Sequence, residues 1–156
     1  LLRQSDVRPA LETMTDLIEV EGPDGKTVLD LTGAEIPDED TPAPPRLMAM
    51  WDSTLLAYKD WSRIIPEEHR RSVIRRNGDV LPSVLIDGYV SGVWRPVEDG
   101  IEITAFRRFD DNVWGALDAE ARELIAFIAE REPLVYSRYG RWWTDLPAAE
   151  VRVLPG

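Results

Sequence analysis

Between Gly33 and Pro45 the chain carries Pro37, Pro42, Pro44 and Pro45 around the acidic run Asp38-Glu39-Asp40. Proline fixes φ and has no N–H to donate, so neither a helix nor a paired strand runs through this segment. The 156 residues therefore divide into a short unit over 1–33, a Pro-rich acidic linker over 34–45 and a larger unit over 46–156. Leu1-Leu2-Arg3-Gln4 carries no element signal and reads as a truncated start.

In the short unit Ser5-Asp6 is a helix start signal, with Val7, Ala10, Leu11 and Met14 on one helical face. Pro9 falls within the expected first turn, where backbone N–H groups lack intrahelical partners. The helix is expected to end near Thr15. Two strand-like runs follow, Leu17 to Glu21 and Lys26 to Leu31, joined by the turn Gly22-Pro23-Asp24-Gly25. A helix followed directly by a hairpin matches the end of a winged helix unit, with the helix as reader and the hairpin as wing. Any α+β start fits the same pattern.

The larger unit is mostly β. Leu47 to Trp51 reads as a buried strand and Pro66 to Val73 as a short helix, with acids first and bases later. Asn77-Gly78 is a turn, and Asp87-Gly88 between Val84-Leu85-Ile86 and Tyr89-Val90-Ser91 is a hairpin signal. Ile101 to Phe106 alternates after the turn Glu98-Asp99-Gly100. A packing helix is predicted near 118–130, opening at Asp118, and closing strands at Leu134-Val135-Tyr136 and Val151-Arg152-Val153. The fold class expected is α+β: the end of a winged helix unit, then a mainly antiparallel, β-barrel-like domain with a packing helix.

The absence of cysteine excludes disulfides, thiolate metal sites and a cysteine nucleophile. No apolar run approaches the ~20 residues of a membrane span, and no signal peptide is seen; a cytoplasmic protein with no membrane partner is expected. The net charge of −11 argues against a uniformly basic nucleic-acid binder. Its distribution qualifies that: residues 1–44 carry −8, 45–109 carry +1 and 110–156 carry −4.

Candidates for chemistry are few. The single histidine, His69, lies among Glu67, Glu68, Arg70 and Arg71 and reads as part of a solvated helix face rather than a catalytic base. One histidine, no cysteine and an acidic run in a Pro-rich linker hold no fixed metal geometry. Asp110-Asp111 reads as a solvated turn, and no Gly-rich phosphate loop is present. No catalytic residue, metal ligand or cofactor is assigned. The basic cluster has more content: Arg63, Arg70, Arg71, Arg75 and Arg76, with Lys59 and Arg95 as weaker members. Guanidinium groups bind phosphate oxygens bidentately, so several on one surface suit a nucleic-acid backbone. A solvated face neutralised by Glu67 and Glu68 explains them as well. Trp142-Trp143 beside Arg141 offers base stacking, though neighbours on a strand face opposite sides.

The ordered string Thr41-Pro42-Ala43-Pro44-Pro45-Arg46-Leu47, Trp51-Asp52, Ser62-Arg63-Ile64-Ile65-Pro66, Arg75-Arg76-Asn77-Gly78 and Val84 to Trp94 resembles bacterial winged helix DNA-binding domain-containing proteins. That family includes the AlkZ-like DNA glycosylases, which excise alkylated bases and unhook interstrand crosslinks. The resemblance runs from about Ser5 to Ile128. It implies tandem winged units followed by a β-barrel-like domain, with a catalytic glutamine motif near the N-terminus of the full protein. Gln4 is the only glutamine here and lacks that motif's partner. Relatives often carry a Ser-His-like pair where Ala57-Tyr58 stands here. The reader helix offers Arg8 against Asp6 and Glu12, and the wing offers Lys26 among Glu19, Glu21 and Asp24, a poor match to phosphates.

The expectation is a DNA-binding accessory region of a winged helix protein from a DNA-repair glycosylase family, with its chemistry upstream. Its partners would be double-stranded DNA and the preceding winged helix domains. The alternative is a structural or protein-interaction domain with no DNA contact.

Overall fold

The computed structural model describes residues 4–22, 25–58, 60–129 and 138–155. The chain forms two compact units, Leu1–Thr41 and Pro42–Gly156.

In the first unit, helix α1 (Gln4–Thr13) precedes an antiparallel hairpin of β1 (Leu17–Glu21) and β2 (Thr27–Leu31). The helix begins earlier than Ser5-Asp6 suggests, so Pro9 lies inside it and removes the bond to the Ser5 carbonyl. The Thr13 hydroxyl, donating to the Ala10 carbonyl at 2.7 Å, helps to close the helix. Gly22 N–H donates to Lys26 O at 2.6 Å where the hairpin turns, and a side chain at Gly22 would press on a Val28 methyl at 2.8 Å. Pro23 and Asp24 of the predicted turn lie outside the described residues. No described residue of this unit is buried, and Ile18, Val28, Leu29 and Leu31 are each 41–48% exposed. One helix on a two-stranded hairpin has too little surface to enclose a core.

The second unit is built on five antiparallel strands in the order β3 (Arg46–Met48), β4 (Ser83–Ile86), β5 (Tyr89–Val97), β6 (Gly100–Ala105) and β7 (Glu150–Pro155). Asp87 and Gly88 both have positive φ, 51° and 76°, as a two-residue turn matched to strand twist requires. A bulge between Val84 and Leu85 shifts the register of β4 on β5. Among the described residues three α-helices accompany the sheet: α2 (Ser53–Leu56), α3 (Glu67–Val73) and α4 (Asp111–Ile128). The predicted strand at Leu134-Val135-Tyr136 falls outside the described residues.

The barrel-like closure predicted from the strand count is corrected: among the described residues no sheet closes. The edges are β3 and β7, and α4 packs against both. Glu120 on α4 accepts the edge amide of Leu47 at 3.3 Å and pairs with Arg46 at 3.1 Å. Trp114 on the same helix donates its indole N–H to Glu150 of β7 at 3.3 Å. On β3 an edge amide that a barrel would satisfy by strand pairing, that of Leu47, is met by a helix carboxylate, while on β7 the link to the helix runs between side chains.

The predicted opening of that helix at Asp118 is also corrected. The N-cap is Asp110, whose carboxylate accepts Val113 N–H at 2.9 Å. Asp118 is inside the helix, paired with Arg122 one turn on at 3.0 Å. Trp114, Leu117 and Ala121 form its buried face.

The central strands of the sheet are buried on both sides. Val84, Ile86, Trp94, Ile101, Ile103 and Leu154 pack with α4. On the other side Leu85, Val90, Val93 and Phe106 pack with Leu55, Ile65, Val73, Val80 and Leu81. Central strands covered on both faces lose strict alternation, and all four residues of β4 are buried. Among the described residues no helix is long and apolar enough to cross a membrane.

Candidate nucleic-acid interface

Helix α3 ends at Val73, and Ile74 turns the chain out of it with φ −99° and ψ 112°. Arg71, within the helix, and Arg75, beyond its end, therefore do not share a helix face. Residues 75–79 instead form a tight turn. Arg75 N–H donates to Asp79 O at 2.8 Å, Gly78 N–H to Arg75 O at 2.9 Å, and Ile74 bridges Val80. Gly78 has φ +88°, which favours glycine there. Asn77 locks the turn through its side chain, donating to Asp79 Oδ2 at 2.8 Å and accepting Asp79 N–H at 3.2 Å.

This turn meets a segment from far along the chain. Gly140–Trp142 is a 3-10 turn, not the strand assumed for Trp142-Trp143, and both tryptophans pack against the core beside α3. The Arg75 guanidinium donates from Nη2 to the Trp142 carbonyl and lies 5.9 Å from the centre of its ring. The Trp142 indole N–H donates to Asp79 Oδ2 at 3.1 Å. Arg71, Ile74, Arg75, Arg76, Asn77 and Trp142 line a cleft of about 750 Å³, within the ~300–1,000 Å³ of small-molecule sites.

The electrostatics of the cleft are cationic. Arg71 and Arg76 are exposed; Arg75 is partly buried. Among the described residues Arg63, Arg70, Arg71, Arg75 and Arg76 form no ion pair, with Glu67, Glu68 and Asp79 included. Burial lowers the pKa of Arg75, against an opposing pull from Asp145. Its Nε is buried without a hydrogen-bond partner. An anion bound in the cleft would offset the cost of that desolvated cation.

The remaining sequence candidates sit elsewhere. Arg70 lies over the Trp61 ring at 4.4 Å and Arg63 over Tyr58 at 5.6 Å. These cation–π contacts leave the guanidinium edges available to donate. Arg95 on β5 pairs with Glu102 across the β6 ladder at 2.7 Å. Lys59 lies outside the described residues. His69 is not simply solvated: it is half-buried, its ring 4.7 Å from Phe106, and it helps seat α3 on the core. Among the described residues no cluster of three His, Cys, Asp or Glu could hold a metal ion. Trp142 is the wall that sequence reasoning did not connect to the arginines. The cue was its neighbour Arg141, but its contact with Arg75 spans 67 residues.

Together the fold and site define an α+β protein whose larger unit presents a cationic, aromatic-walled cleft. The chain belongs to the DNA glycosylase AlkZ-like family, whose model matches residues 1–127. It is also similar to the solved Streptomyces sahachiroi DNA glycosylase AlkZ, with 28% identity and a TM-score of 0.61. That likeness covers 80% of this chain but 34% of the other, so the chain spans about a third of that protein's length. Comparison with curated proteins gives no significant match.

Proposed function

We propose that this chain is a DNA-binding accessory region of an AlkZ-like DNA glycosylase, holding duplex DNA while residues outside it perform base excision. The observation that carries this reading is the set of arginines at and just beyond the end of α3 that form no ion pair among the described residues, with Arg71, Arg75 and Arg76 gathered on one cleft. Arg63 and Arg70 extend the surface. Family membership and the likeness to a DNA glycosylase support DNA as the polyanion. The first unit is read as the helix and wing that end a winged helix unit. With Gln4 as the only glutamine and His69 packed on Phe106, the chemistry is assigned to a glutamine motif upstream.

Binding of duplex DNA measured across salt concentration tests the reading. Arg71→Ala and Arg76→Ala should each weaken binding and lower the salt slope by about 1. A slope unchanged in both variants contradicts it. The second reading, an interaction domain without DNA contact, is favoured by the exposed apolar side chains of the first unit. It predicts no duplex binding in the same titration.

A further inference from the structure

Binding a phosphate needs only cations, yet this cleft has an apolar wall as well. Trp142 and Ile74 line it beside Arg71 and Arg76. The Trp142 residue is held in place: Asp79 accepts its indole N–H at 3.1 Å, and its backbone carbonyl accepts from the Arg75 guanidinium. Asp79 is itself bound by the Asn77 amide, so its carboxylate is engaged at the turn. Arg141 lies 4.9 Å from the ring centre but does not line the cleft. A fixed aromatic face beside guanidinium groups is the pairing that single-stranded nucleic-acid sites use: a platform for the base and cations for the backbone. A base inside a duplex has both faces covered by its neighbours and cannot reach such a wall; an extruded one can.

We propose that the cleft takes one unpaired nucleotide of a DNA strand, its phosphate on Arg71 and Arg76 and its base against Trp142 and Ile74. This rests on the DNA-binding reading above and adds a preference for locally unpaired DNA.

The test compares two short duplexes of one sequence, one fully paired and one carrying a single unpaired thymidine. The protein should bind the bulged duplex roughly 5- to 150-fold more tightly, the range that ~1–3 kcal/mol of base–aromatic stacking represents. Trp142→Leu should abolish the preference, bringing the affinities for the bulged and the paired duplex together. Trp142→Phe, which keeps a ring, should retain most of it. With 2-aminopurine as the unpaired base, its fluorescence should fall when the unaltered protein binds, a readout that needs no variant. No preference in the unaltered protein, a preference that survives Trp142→Leu, or unchanged 2-aminopurine fluorescence overturns the proposal. Failure to bind either duplex overturns the DNA-binding reading itself; equal, salt-dependent binding of both overturns only the nucleotide seat.

Discussion

At Gly100 the backbone has φ +142° where β6 opens, and a Cβ there would collide with the Leu154 carbonyl of β7. Both the dihedral and the close approach require glycine. Gly100→Ala should destabilise the protein by about 2–4 kcal/mol in urea unfolding, combining backbone strain with overpacking. A loss under ~1 kcal/mol would show that β7 yields without cost. Arg75 presents the opposite case, a residue with two duties. It holds the Trp142 segment through a carbonyl and also faces the cleft, so its removal mixes structural loss with lost charge. Arg71 and Arg76, exposed and outside any ion pair among the described residues, are the cleaner probes of binding.

Among the elements, α4 most affects the architecture, because it touches both sheet edges. Asp110→Ala should cost about 1 kcal/mol by removing the cap on Val113 N–H. Asp118→Ala should cost no more than about 0.5 kcal/mol, since it breaks only a partly exposed pair with Arg122. Equal losses in thermal or urea unfolding would contradict the assignment of the helix start. The same helix shows what the sequence made legible. The face Ala121, Leu124 and Ile125 was periodic and readable. Its true start was hidden because Asp118 has the side chain of a cap and Gly115 that of a breaker, although a Cβ at Gly115 would meet nothing within 4 Å. The Asp87-Gly88 turn was legible because its chemistry is local. Sheet closure was not, because it depends on how β3 meets α4 across 73 residues of chain and β7 meets it across 36. The cleft divides along the same line. Arg71, Arg75 and Arg76 are close in sequence, whereas Trp142 joins them only through the tertiary fold.

For the molecule as a whole, charge and family point in opposite directions. The chain is strongly acidic, at −11, yet residues 70–78 contain four arginines and no acid. A polyanion is attracted to the local field of such a patch, and a net charge of the wrong sign does not abolish that field at distances within a Debye length. The acid is concentrated in residues 1–44, which carry −8, and this makes the first unit a poor phosphate binder. The proposed DNA contact therefore lies on the larger unit, around the end of α3. NMR observation of the arginine Nε–H resonances during titration with a short duplex tests that placement most directly. The account predicts that the Arg71, Arg75 and Arg76 signals shift together and saturate at one stoichiometry, while Arg122 and Arg152, paired with Asp118 and Glu150, stay in place. Shifts confined to Arg8 in the first unit, or no arginine shifts under conditions where the duplex binds, would contradict it.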